Sequence, residues 1–129
     1  MIGSSMGGTA ALQHACHANR VLAFGPRVDL RTTHGSFVPT ASQRACLDAV
    51  HASLEAMRGS VAVHAGLGNL VDMHQAGLVS GARGVTLETH DTFHHNVPMY
   101  LEREGLLVTL FKQELLELLT PSAGAHDVK

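Results

Sequence analysis

The chain has 129 residues, 45% of them hydrophobic and 16% charged, with a formal net charge of -2. That length and balance fit one globular domain with a modest core and do not fit a disordered chain. Only two lysines are present, Lys112 and Lys129, with no basic stripe to meet a phosphate backbone, so no nucleic-acid partner is expected.

No apolar run approaches the roughly 20 residues that span a bilayer. The first residues lack the basic start and the sustained apolar stretch of a signal peptide. A cytoplasmic location without a membrane span is therefore expected. Cys16 and Cys46 have no metal-type spacing and read as two free, partly buried thiols.

Residues 3–7, Gly3-Ser4-Ser5-Met6-Gly7, form a G-x-S-x-G run. In one reading this is a sharp strand-to-helix turn that lifts a nucleophilic serine above a sheet, with glycines where backbones pack closely. In the other, Ser5 is simply the N-cap of the following helix. Residues 6–19 are alanine-rich with helical spacing, and Gly7 and Gly8 fall in the first turn, where close packing would require them. Residues 20–24 read as a short buried strand, stopped by Gly25-Pro26. Residues 27–39 show no period and are expected to be a loop.

Thr40-Ala41-Ser42-Gln43 is a capping box that opens the clearest helix of the chain. Leu47, Val50, Leu54 and Met57 share its inward face, and Gly59 ends it. Residues 60–65 form a second full strand, residues 70–79 a short helix, and residues 85–89 a third full strand rich in β-branched side chains. Asn96 then reads as an N-cap with Pro98 in the first turn. Gly105 breaks that helix, and Leu107, Leu110, Phe111, Leu115 and Leu118 form the apolar face of a terminal helix ended by Thr120-Pro121. The last residues, 120–129, are expected to be a flexible tail. Strand alternating with helix predicts βαβ crossovers and an α/β fold with about four parallel strands, the first residual.

Asp72 follows the strand over residues 60–65 by seven residues. A carboxylate at the carboxyl end of a parallel strand faces the crevice where such sheets bind ligands, and there it can orient an imidazole. It can equally be a first-turn acid that favours the helix dipole. Past the third full strand comes His90-Asp91-Thr92-Phe93-His94-His95-Asn96. His95, held next to Asn96 and Pro98, is the better candidate for a base, with His94 as the alternate. His90 and His94 have the i, i+4 spacing of a helical zinc pair. The segment is not expected to be helical, however, and a third ligand such as His74 or Asp91 would be arbitrary. No metal and no cofactor are therefore expected.

Ser5, Asp72 and His95 occur in the order Ser…Asp…His, each after a strand. On these residues the chain resembles the C-terminal half of an α/β-hydrolase, starting at the nucleophile elbow and running to about residue 119. Ile2-Gly3-Ser4-Ser5-Met6-Gly7-Gly8 resembles the end of that family's fifth strand plus the elbow; residues 20–24, 60–65 and 85–89 resemble strands six, seven and eight. The resemblance implies Ser5 as nucleophile, Asp72 as acid, His95 as base and the Met6 N–H as one oxyanion donor. It implies hydrolysis of a small acyl substrate, such as an ester, without a cofactor.

The family's earlier strands, and the loop carrying its second oxyanion donor, have no counterpart in these residues. The expectation is thus a truncated sheet: a fragment, a poor catalyst alone, with an exposed edge that invites self-association. A catalytically inactive remnant and a histidine-based metal module are the competing readings. Arg27 and Arg31 in the 27–39 loop are open to two roles, as a seat for a substrate carboxylate or as solvated loop charges.

Overall fold

Four strands make the sheet: the two inner ones are runs of valine, alanine and other apolar residues buried almost throughout, and the two outer ones are only partly buried. In chain order the four are β1 (Ile2–Ser4), β2 (Arg20–Phe24), β3 (Ser60–Gly66) and β4 (Val85–His90). The computed structural model describes residues 1–32 and 40–120. The strands lie in the order β1-β2-β3-β4, all parallel, so the fold is α/β with a four-stranded parallel sheet. Ile2 pairs opposite Leu22, Val21 opposite Val61 and Val63 opposite Leu87. Among the described residues β1 is an edge strand, with β2 as its neighbour.

Parallel neighbours need a crossover, and helices supply it. These are α1 (Met6–Gln13), α2 (Thr40–Ala56) and α3 (Leu70–Gly77). Val21, Ala23, Val61, Val63 and Ala65 project from one face of the sheet into a cluster with Leu12 and Ala15, with Val50, Leu54 and Met57, and with Ala76 and Val79. All three crossovers therefore share one side. Each valine or leucine fully buried there contributes roughly 1.5–3 kcal/mol. The inward residues expected there behave as the spacing predicts: Val50 and Leu54 on α2 and Met57 just past its end are buried, and Leu47 packs against them.

The first helix is shorter than its composition suggests. It ends at Gln13, and a 3-10 turn follows at Ala15–His17. The Cys16 N–H donates to Ser53 Oγ on α2 at 3.1 Å, a tertiary partner in place of a helical carbonyl. Cys16 and Cys46 are free thiols, the second buried. Of the 27–39 loop, Leu30–Thr32 is a 3-10 turn, and residues 33–39 lie outside the described residues.

The start of that loop is held from two sides. Thr9, buried on α1, donates its hydroxyl to the Arg27 carbonyl at 2.9 Å and accepts from the Arg27 N–H at 2.9 Å. Gln75, fully buried on α3, accepts from the N–H groups of Val28 and Asp29 at 2.8 and 2.9 Å and donates to the Asp29 carbonyl at 2.9 Å. A segment without regular structure thus has its backbone groups satisfied by two side chains, which is what allows it to run through buried surroundings.

The chain divides into two units, Met1–Val97 and Pro98–Lys129. In the second lie α4 (Val97–Arg103), apart from its first residue, and α5 (Leu107–Leu119); Gly105, at φ 72°, breaks the run between them as expected. No residue of α5 is buried, so its apolar spacing marks a helix face but not a core. The expected flexible tail falls, from residue 121 on, outside the described residues. No helix among the described residues is long and apolar enough to cross a membrane.

Replacing Gln75 with leucine keeps the volume and leaves three buried backbone groups without their partner. Each such group costs about 1–3 kcal/mol. Gln75→Leu is expected to lower stability by about 3 kcal/mol or more, read as a lower denaturant midpoint at an unchanged slope.

Candidate active site

A parallel sheet brings the carboxyl ends of its strands to one edge, where loops rather than helices meet. Each strand of this sheet delivers one polar side chain there. Ser5 follows β1, Arg27 follows β2, Asp72 lies in the first turn of α3 beyond β3, and His95 follows β4.

Ser5 has φ 55° and ψ -121°, and among the described residues it is the one non-glycine with positive φ. Holding a residue there costs on the order of 1–3 kcal/mol, so surrounding bonds must fix it. The Ser5 N–H donates to the Phe24 carbonyl at 2.8 Å, and the Ser5 carbonyl accepts from the Thr9 N–H at 3.1 Å. Ser5 occupies the N-cap position of α1, yet its side chain makes no capping bond. Its Oγ lies instead 2.9 Å from Nε2 of His95.

The glycines around Ser5 are not equivalent. A Cβ on Gly3 would stand 2.0 Å from the Gly7 carbonyl oxygen, and one on Gly8 would meet the carbonyls of Gly3 and Phe24 at 3.2 and 3.3 Å. A Cβ on Gly7 would meet nothing within 4 Å. The expectation that packing requires Gly7 is therefore corrected. The crowding is between the backbone of Gly7 and the bare α-carbon of Gly3.

Asp72 combines both of its readings. It sits in the first turn of α3, where its N–H donates to the side chain of the Asn69 cap at 3.0 Å. Its carboxylate, with a side chain 0% exposed, faces the His95 Nδ1 at 2.8 and 3.0 Å. The two loops that carry these groups are bonded along their length. Leu67 and Gly68 donate through their N–H groups to the carbonyls of His90 and Thr92 at 2.8 and 3.0 Å. The Asn69 amide donates to the Phe93 carbonyl at 3.2 Å. Gly25, at φ 51°, lies beneath the pair: a Cβ there would come within 3.0–3.3 Å of the His95 ring and the Asp72 carboxylate.

With Nδ1 facing a carboxylate, the consistent tautomer carries its proton on Nδ1, and Nε2 is free to accept from the Ser5 hydroxyl. An imidazole so held can take the hydroxyl proton while the carboxylate balances the charge that forms. His95 is partly exposed, at 33% of its side chain, so the hydroxyl end of the chain of bonds is open to a reactant.

His94, the alternate base, is not part of this arrangement. It is exposed, its ring lies 4.4 Å from that of Phe93, and its N–H donates to Thr92 Oγ1. Met6 opens α1, so its N–H is one of the helix donors with no intrahelical acceptor. His90 ends β4 and His94 lies beyond it in a segment that is not helical, so their spacing does not put them on one helix face. The His90 Nε2 lies 2.9 Å from Nδ1 of the buried His64, and the two rings continue a stack begun by Phe24. Burial holds the His90 imidazolium below the ordinary histidine range, with Glu88 pulling weakly the other way. Among the described residues no three His, Cys, Asp or Glu side chains gather as a metal site, and His74 is exposed.

Arg27 is the residue that sequence reasoning left open. Its Nη2 lies 3.3 Å from Asp72 Oδ1, and its side chain is 19% exposed. The other loop arginine, Arg31, forks onto Asp29 at 2.9 and 3.0 Å, and this bond draws the Asp29 carboxyl below its usual range. Both guanidinium groups thus have internal carboxylates. The placement rule that selects Asp72 and His95, a polar residue just past a strand end, also points to Arg27 after Gly25-Pro26. No family model and no curated protein matches this chain.

Two single substitutions separate the steric roles of the glycines. Gly3→Ala is expected to destabilise the fold by several kcal/mol or to prevent folding, because the obstacle is backbone. Gly7→Ala, on a helix and in open space, is expected to be neutral or to stabilise by about 0.5–1 kcal/mol. Thermal unfolding of the two purified variants is the check.

Proposed function

We propose that this chain carries the nucleophilic centre of a serine hydrolase of the α/β-hydrolase type, acting on esters or other acyl compounds. The observation that supports it most is the continuous relay from the Ser5 hydroxyl through both nitrogens of His95 to the buried Asp72 carboxylate, built on a serine held in strained backbone. A side chain serving only as a helix cap would bond to the backbone of α1, and this one does not. The Ser…Asp…His order along a parallel sheet supports the same reading.

In this mechanism His95 Nε2 accepts the Ser5 proton as Oγ bonds to the acyl carbon. Negative charge develops on the former carbonyl oxygen, and the Met6 N–H at the start of α1 is the donor within this chain suited to meet it. The bond to the leaving group breaks, and that group takes the proton from His95. Water, activated by the same ring, then releases the acid and restores Ser5. Asp72 holds the Nδ1–H tautomer throughout and balances the transient imidazolium.

The substrate proposed is a small-molecule acyl compound, reached from solvent through the partly exposed side of His95. Removal of one oxyanion donor costs about a hundredfold to a thousandfold in turnover, so a site relying on Met6 alone turns over slowly. Among the described residues β1 has β2 as its one strand neighbour, and a second element of the proposal is that its other side pairs with a strand of another copy.

The test is covalent labelling by an activated alkyl phosphonate, which needs one turnover only. The chain is expected to gain one phosphonyl group, located on Ser5 by peptide mass spectrometry. Ser5→Ala should abolish labelling, His95→Phe should slow it by about a thousandfold or more, and His94→Phe should leave it within a fewfold of the parent. Absence of labelling, or labelling that survives in Ser5→Ala, would overturn the reading.

A further inference from the structure

Asp72 is a fully buried carboxylate, and a charge in that position needs a counter-charge at all times. When His95 is neutral it offers Asp72 a hydrogen bond but no positive charge. The guanidinium of Arg27 stands on the same carboxylate, Nη2 to Oδ1 at 3.3 Å. The same Nη2 lies 3.4 Å from His95 Nδ1. Both of those nitrogens carry hydrogen in the tautomer fixed by Asp72, so they are neighbours and not hydrogen-bond partners.

The arginine is also held where it is. The Arg27 backbone is gripped on both its N–H and its carbonyl by Thr9, four residues after Ser5 on α1. The next two residues are gripped by Gln75, three residues after Asp72 on α3. The helices that carry the hydroxyl and the carboxylate thus both fasten the segment that carries the cation.

We propose that Arg27 is a positioning residue of this site: its guanidinium balances the buried Asp72 charge and opposes a second positive charge on the adjacent His95 ring. The proposal rests on the serine-hydrolase reading for its use in catalysis, but its electrostatic content can be measured without any turnover. The groups against the His95 ring are Ser5 from the turn before α1, Arg27 from the segment after β2 and Asp72 from α3. Like charges a few ångströms apart disfavour each other, so a fixed guanidinium opposes a second cation on the ring, and its loss favours one.

The experiment follows the His95 ring by NMR across pH in the histidine-labelled 129-residue chain, with a His95→Gln variant to assign the signal. The pH at which the ring becomes doubly protonated is expected to rise in Arg27→Gln and to return toward the parent value in Arg27→Lys. Equal midpoints in the parent and Arg27→Gln overturn the proposal. If Arg27→Gln does not fold, the pair Asp72→Asn and Asp72→Asn/Arg27→Gln replaces it. With the carboxylate charge gone there is nothing for Arg27 to balance, so the double variant is expected to fold and to melt close to Asp72→Asn. A double variant that fails to fold, or melts far below Asp72→Asn, overturns the proposal. Phosphonate labelling of the same samples keeps the two readings apart. A midpoint that rises in Arg27→Gln, when the parent chain is never labelled, sinks the hydrolase and leaves the Arg27 balance standing; a labelled parent with unchanged midpoints does the reverse.

Discussion

A carboxylate with no exposed surface is the constraint on which the upper edge of this sheet depends. Left unpaired, the charge of Asp72 would cost several kcal/mol. Its surroundings give it two partners, Nδ1 of His95 and beside it the Arg27 guanidinium, and the Asn69 cap fixes the helix turn from which it projects. Each partner comes from a different crossover or loop. One buried charge therefore ties together the ends of β2, β3 and β4, and His95 extends the tie to Ser5 after β1.

Parallel topology makes this possible. In a sheet ordered β1-β2-β3-β4 with every crossover on one side, each strand ends beside the next, and the residues just past those ends converge. The loops after β3 and β4 are bonded to one another before they reach Asp72 and His95, which limits how far the two can drift. Precision in a relay of this kind comes from such supports, because a hydroxyl and an imidazole at 2.9 Å are useful only if neither has freedom to turn away.

The strain at Ser5 has the same logic. A positive φ in a serine persists because its N–H and carbonyl are both engaged and because Gly3 has no side chain to push the Gly7 backbone aside. Thr9 and Gln75 extend the scaffold into a stretch that has no regular structure. Their side chains do for the Arg27–Asp29 backbone what a neighbouring strand would do in a sheet. These two residues brace the site through the backbone of the segment that carries Arg27.

Much of this was legible in the sequence. Valine-rich runs, helix-spaced apolar residues and glycine stops determined the strands, the helices and hence the α/β class, because local propensity and binary pattern agree along residues 20–24, 40–57, 60–65 and 85–89; the structure extends the last two strands by one residue each. The strand-end rule brought Ser5, Asp72 and His95 forward as candidates. Tertiary structure alone showed where their side chains turn: the Ser5 hydroxyl makes no capping bond and lies on His95, while Asp72 is both a first-turn acid of α3 and the partner of His95. It separated His95 from His94, adjacent residues of one type, by which of them faces the Asp72 carboxylate. It also took Arg27 out of a featureless loop and set it on a carboxylate 45 residues away in the chain. Pattern reports what a residue does within its own element; the pairing of a buried charge is settled between elements, by distances that no local spacing encodes.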